Sequence, residues 1–259
     1  MISHLVIPDT QIKPNQSIEH LKWAGQYAAS KQPNTIIHLG DNWDMSSLSS
    51  FDIGKKSFEG RTYKKDILAG KKGIHAFMEP IEKEKGKGKW NPRLIFLLGN
   101  HENRITRAID SDRKLEGLIG LEDLGLESCG WTVYPFLEVV RLNGIAYSHY
   151  FTSGVMGRAV SSARMLITKK HMSCVMGHVQ RAEIDFQYDA YGKRLTGIFA
   201  GCYYQHNENY LDAQTNKSTW RGIWMLYNIK NGEFTVNNIP LSFLRSKYKK
   251  GASNNNYDN

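Results

Sequence analysis

The chain has 259 residues, 41% of them hydrophobic and 23% charged, with a formal net charge of +9. That length and balance suit one sizeable domain that can bury a substantial core without staples. Three cysteines, Cys129, Cys174 and Cys202, lack the spacing of a zinc framework or disulfide ladder, and no apolar run approaches the ~20 residues of a membrane span.

His4 to Ile7 is a short apolar run that ends at Pro8-Asp9, which predicts a strand feeding a loop. Leu21, Ala24, Gly25 and Ala28 recur at helical spacing within 18–30, and Pro33-Asn34 stops them. Thr35 to Leu39 is β-branched and ends at Gly40-Asp41, so strand, helix and strand form a parallel βαβ unit. A long helix is expected over 57–84, with Ile67, Ile74, Phe77, Met78 and Ile81 on its apolar stripe. Lys83 to Lys89 is a basic, glycine-broken loop, and 93–98 is the third strand, ending at Gly99-Asn100. The segment 104–126 reads as helical in pieces. Strands are expected at 132–140 and 145–148, the second ending at His149, then a helix over 157–169 and a strand over 173–176 ending at Gly177-His178. The last third is β-like at 195–202, 220–229 and 233–236, with Asn231-Gly232 as a hairpin turn. The expected organisation is one α/β domain over 1–245 and a polar, flexible tail over 246–259.

Five expected strands end in a polar donor: Asp9, Asp41, Asn100, His149 and His178. Ligands of open α/β sheets sit at the carboxyl ends of strands, so these oxygen and nitrogen donors are expected to converge. Their mixed hardness suits Mn²⁺, Fe or Zn²⁺ better than Ca²⁺. Taken singly, an aspartate after a strand caps a turn and Asn100 is a loop residue. His38, on an apolar strand, is read as a packed side chain.

The ordered set Asp9-x-Gln11, Gly40-Asp41-x-x-Asp44, Gly99-Asn100-His101-Glu102, His149 and Gly177-His178-x-Gln180 resembles the calcineurin-like metallophosphoesterase superfamily. That signature reads Asp-x-His, Gly-Asp-x-x-Asp, Gly-Asn-His-Asp/Glu, His and Gly-His-x-His. The resemblance implies a four-layer fold, a two-sheet β-sandwich flanked by helices, with a two-metal site. It implies that Asp9, Gln11, Asp41 and Gln180 hold one cation, that Asp41 bridges, and that Asn100, His149 and His178 complete the second. His101 becomes the general acid and Asp44 the residue that orients it. Paired cations clamp a phosphate and generate hydroxide near neutral pH, and an imidazole protonates a departing alkoxide near its ordinary pKa.

Two positions depart from the signature, Gln11 and Gln180, and both fall on the first metal. An amide oxygen is a harder and weaker ligand than an imidazole nitrogen. The expected cofactor is therefore Mn²⁺ at two sites, the one at Asp9, Gln11 and Gln180 being weaker, with Mg²⁺, Zn²⁺ or Fe as further options. The bland reading has both glutamines only hydrogen-bonding in a one-metal or dead site.

The substrate signals are thinner. Arg104 and Arg181 are the expected phosphate-binding cations, with Arg107 and Arg158 nearby, because a guanidinium fork suits phosphate. The basic run Lys83 to Arg93 includes Trp90, and Tyr147, Tyr150 and Phe151 flank His149; either group could stack a base. A pI near 9.3 favours a polyanionic partner. The chain is similar to compact bacteriophage metallophosphoesterases, and the expectation is a nuclease acting on DNA or RNA in a cytoplasm, with no membrane association. Two alternatives stay open. One is a phosphomonoesterase, although the protein-phosphatase arginine after Gly-Asp-x-x-Asp is replaced by Met45. The other is a non-catalytic scaffold that kept the fold.

Overall fold

The computed structural model describes residues 1–50, 54, 56–207, 214 and 218–249. In chain order the strands are β1 (His4–Ile7), β2 (Thr35–His38), β3 (Arg93–Leu97), β4 (Thr132–Tyr134), β5 (Val140–Leu142), β6 (Ile145–Ser148), β7 (Cys174–Met176), β8 (Ala182–Tyr188), β9 (Arg194–Ala200), β10 (Gly222–Lys230) and β11 (Glu233–Pro240). The helices are α1 (Glu19–Lys31), α2 (Tyr63–Lys85), α3 (Arg104–Ser111), α4 (Ala163–Lys170) and α5 (Leu241–Tyr248).

The strands form two mixed sheets. The first has the order β11-β10-β1-β2-β3-β4; β1 to β4 run parallel, with Val6 opposite Ile37 and Ile37 opposite Ile95. The second has the order β5-β6-β7-β9-β8, parallel in its centre and antiparallel at both edges. Strands buried on both faces need continuous apolar runs, and the central strands supply them. Successive side chains point to opposite faces. Val6, Ile37, Ile95 and Leu97 meet Ile145, Tyr147, Val175 and Ile198 between the sheets. Leu5, Ile7, Ile36 and Phe96 pack outward under α1 and α2. Ala146, Cys174, Met176 and Phe199 pack outward under α4. The result is a two-sheet sandwich with helices on both outer faces.

Several boundaries differ from expectation. Residues 132–140 do not form one strand: β4 belongs to the first sheet and β5 to the second. Pro135 offers no main-chain donor to a ladder, and Leu137 takes a left-handed φ of 67°, so the chain leaves one sheet and enters the other. The helix expected from 57 starts at Tyr63, where the Thr62 side chain accepts from the N–H of Lys65. The helix expected from 157 starts at Ala163 behind Ser162, which accepts from Met165 in the same way. β8 was not expected. Asn231 and Gly232 form the hairpin turn between β10 and β11, with φ of 51° and 87°. The expected tail begins inside α5, whose Leu244 is buried and whose Tyr248 packs on the same core. Residues 250–259 lie outside those described.

Candidate metal centre

β1, β2 and β3 are parallel neighbours, so the loops after them leave one edge of the first sheet. β6 and β7 send their loops to the same edge from the second sheet. These loops carry Asp9, Asp41, Asn100, His149 and His178. Main-chain bonds hold them in register: Gln11 N–H donates to Asp41 O at 2.8 Å, and Gly177 N–H to His149 O at 2.9 Å. Further bonds cross between the sheets. His149 Nδ1–H donates to Leu39 O at 2.7 Å, and His178 N–H donates to Asp9 Oδ1 at 3.0 Å.

This packing needs glycine at two points. A Cβ on Gly99 would fall 2.1 Å from Asp41 Oδ1, and one on Gly177 would fall 2.5 Å from Asp9 Oδ1. Four non-glycine residues around the centre hold left-handed backbones: Gln11 (φ 37°), Asp41 (52°), Met45 (48°) and His178 (62°). Such strain persists only where the surroundings over-determine it, and it clusters at functional sites.

The donor atoms converge. One ligand atom each from Asp41, His149 and His178 lies within 4.8 Å of the others. Asn100 Oδ1 is 2.9 Å from His149 Nε2 and 2.8 Å from His178 Nδ1, and Asp41 Oδ2 is 3.4 Å from His149 Nε2. Because His149 spends its Nδ1–H on Leu39, a neutral ring turns its Nε2 lone pair toward the centre. A metal-ligating histidine commonly donates its other N–H to a carbonyl in this way. Burial depresses both histidines, His178 to about 4, with the neighbouring His149 ring adding to the depression of His178. Neutral imidazole nitrogens thus face an amide oxygen and a carboxylate, an arrangement of acceptors that a divalent cation satisfies.

Asp9 gives a second, independent indication. It is fully buried, and among the described residues its Oδ2 has no hydrogen-bond partner. Burial, followed by the charge of Asp41, pushes its carboxyl well above the usual range. For Asp41 burial acts in the same direction, but the histidines His149 and His101 outweigh it and hold the carboxyl low. Two buried carboxylates side by side with an unpartnered oxygen fit a cation binding between them.

His101 sits beside this cluster. Its main-chain N–H donates to Asp41 Oδ1 at 2.8 Å, and its Nδ1–H donates to the Asp44 carbonyl at 2.7 Å. The Asp44 carboxylate is farther, at 3.4 Å from Nδ1, so the main chain of Asp44 makes the shorter contact with the ring. Nε2 lies 3.8 Å from Asp41 Oδ2 and 3.4 Å from Arg104 Nη2. Burial alone would depress the ring; the Asp41 charge and the Asp44 carboxylate outweigh it and raise His101 to about 9.

Glu102 has a role that the motif alone did not reveal. Its carboxylate accepts from the N–H groups of Asp41, Trp43 and Gly99 at 2.9, 3.0 and 2.8 Å, fastening the Asp41 loop to the Asn100 loop. Tyr204 was also missed. Its hydroxyl donates to Gln180 Oε1 at 2.8 Å, while Gln180 Nε2 donates to Gln11 Oε1 at 3.3 Å. No motif signals Tyr204, which follows β9 and reaches the centre only through the fold.

The remaining expected groups are spread out. Arg104 Nη1 donates to the carbonyls of Asp44 and Met45, which braces that loop beside His101. Arg181 pairs with Glu183 at 3.2 Å and lies over the Phe199 ring at 5.2 Å. Arg107 and Arg158 are exposed. Lys83 to Arg93 connects α2 to the start of β3, the opposite end of the sheet from Asn100. Trp90 there donates to Pro33 O at 2.8 Å and packs on the core, so this run does not line the centre. Tyr147 and Phe151 are buried, whereas Tyr150 is half-buried with its ring 4.6 Å from His178. His38 is a packed side chain, stacked on Phe96 at 4.6 Å. Among the described residues no helix is long and apolar enough to cross a membrane.

No family model matches the chain, and no curated protein matches it as a relative.

Proposed function

We propose that the chain is a metal-dependent phosphoesterase that hydrolyses phosphodiester bonds, with nucleic acid as its substrate class. The observation that carries this reading is the meeting of Asp41, Asn100, His149 and His178 beside His101, from loops of two different sheets. The reading makes the sandwich a metallophosphoesterase fold. Asp41, Asn100, His149 and His178 would hold the tighter cation, and Asp9 with Asp41 a harder and weaker position, Mn²⁺ being the first choice for both. When bound, the cation supplies Lewis acidity toward a phosphoryl oxygen.

The chain's own residues supply the rest. The Asp44 carbonyl fixes the His101 ring through Nδ1, which leaves Nε2 as the nitrogen that passes a proton to the leaving-group oxygen. The carboxylates of Asp41 and Asp44 favour the protonated ring. Arg104 braces the same loop and is the candidate phosphate-binding cation. Nucleic acid as the substrate is supported by the net charge of +9 and by the half-buried Tyr150 ring beside His178.

The test is purified protein with Mn²⁺ on bis-(p-nitrophenyl) phosphate, p-nitrophenyl phosphate, and labelled single- and double-stranded DNA and RNA. Turnover of the diester and of nucleic acid is the expected result. Turnover of the monoester alone would make the protein a phosphomonoesterase, and no turnover with any divalent cation would leave a binding scaffold.

A further inference from the structure

Beside the Asp41–His149–His178 cluster the centre has a second half of different chemistry. Asp9 supplies a buried oxygen without a hydrogen-bond partner among the described residues. The neighbouring amides of Gln11 and Gln180 are bonded to each other, and Tyr204 bonds to the second of them. With the hydroxyl donating to Gln180 Oε1, the nitrogen end of that amide is turned to Gln11. The chain therefore runs Tyr204 to Gln180 to Gln11, and it occupies an acceptor site on both amide oxygens. An amide nitrogen has no lone pair to offer a cation, so Gln11 Oε1 and Gln180 Oε1 are the only ligand atoms these side chains possess.

We propose that Tyr204 is a positioning residue that keeps this amide pair self-bonded, so that a hard divalent cation enters the Asp9 side only when the hydrogen-bonded chain opens. The protein then rests with one cation and takes a second at higher concentration. The proposal rests on the metal-centre reading above. It adds that the weakness of the second position has a cause outside the ligands, in one phenolic hydroxyl on the loop after β9.

The chain is anchored at both ends. Tyr204 follows Tyr203, whose N–H donates to Asp9 O at 2.7 Å and whose hydroxyl donates to His20 O at 2.8 Å, so this loop is fixed to the loop after β1 that carries Asp9 and to α1. The Tyr204 ring also lies under the Arg221 guanidinium at 5.4 Å and stacks on His206 at 4.5 Å. Removing the hydroxyl while keeping the ring leaves those contacts in place, which makes Tyr204→Phe the informative substitution.

Mn²⁺ binding is measured on the full chain by calorimetry and by electron paramagnetic resonance, where paired ions show dipolar broadening. The unmodified protein is expected to bind one ion tightly and a second weakly. Tyr204→Phe is expected to tighten the second roughly fivefold, the factor one neutral hydrogen bond represents, and to leave the first unchanged. A second ion bound no more tightly in Tyr204→Phe, with the first intact, overturns the proposal alone. Absence of any ion from the unmodified protein, or binding indifferent to His178→Ala, overturns the metal-centre reading beneath it. Should Tyr204→Phe fail to fold, a Mg²⁺ titration of ¹⁵N-labelled unmodified protein decides. The Gln11 and Gln180 side-chain amide signals are expected to move in the weak step; movement in the tight step alone contradicts the proposal.

Discussion

The main-chain N–H of His178 donates to Oδ1 of Asp9 at 3.0 Å, across 169 residues of sequence and from one sheet to the other. One oxygen of Asp9 is thereby used to hold the sheets together, and the other is left buried with no hydrogen-bond partner among the described residues. The arrangement costs stability in the cation-free protein, because Asp9 and Asp41 share a buried site.

Asp9→Asn removes that conflict with little change in shape. The cation-free variant is expected to be as stable as the parent or more so, by about 1 kcal/mol in urea unfolding, since functional sites commonly trade stability for chemistry. Its affinity for the weaker Mn²⁺ should fall at least tenfold. A destabilised variant with unchanged Mn²⁺ binding would mean that Asp9 is structural.

Glu102 receives three main-chain N–H groups with two oxygens. Glu102→Gln places an amide NH₂ against one or more of those donors. The expected loss is about 1–3 kcal/mol of unfolding free energy, together with weaker binding of the tighter Mn²⁺, because the Asp41 and Asn100 loops lose their common anchor. Glu102→Ala should be at least as damaging.

His101→Ala should separate leaving groups. A proton donor matters most where the departing oxygen is basic, so alkyl diesters should slow by roughly 10²–10⁴ and nitrophenyl diesters much less. Mn²⁺ affinity should stay within a few-fold of the parent. Equal slowing of both ester classes would remove the acid role.

Stability should fall in mild acid for a reason outside the centre. His20 is buried on α1, with its ring edge-on to Tyr203 at 5.3 Å. Burial, followed by the nearby His206, lowers it from 6.5 to about 3. The unfolded chain takes up this proton below pH 6.5 and the folded chain does not until about 3. Stability from this group is therefore complete above 6.5 and is lost progressively as pH falls toward 3. The loss amounts to about 2 kcal/mol at pH 5. In urea unfolding His20→Phe should lose less stability than the parent between pH 7 and pH 5, by about that amount; parallel declines would contradict the assignment.

The donors of the centre were legible because each one lies within three residues of a strand's end, and parallel strands deliver their carboxyl ends to a common edge. Asp9, Asp41, Asn100, His149 and His178 could be named on that ground. What joins them was less legible. Glu102 reads as the last letter of a motif, yet its bonds reach residues 59 and 61 positions away. Tyr204 meets Gln180 only because the loop after β9 lies against the segment after β1, where Cys202 bridges Asp9. The break between β4 and β5 is a change of sheet that short-range propensity does not record, although Pro135 marks the place. β8 did carry a signal, since Ile184, Phe186 and Tyr188 alternate with Glu183, Asp185 and Gln187, but those apolar side chains are exposed on an edge strand. The basic run Lys83 to Arg93 shows the converse: a charge pattern alone did not reveal at which end of β3 it would lie.

The most direct measurement is anomalous diffraction from crystals soaked in Mn²⁺. A peak is expected within bonding distance of Asp41, Asn100, His149 and His178, with a weaker peak beside Asp9 appearing at higher concentration. Ordered crystals at saturating Mn²⁺ with no peak among those four side chains would contradict the metal-centre reading.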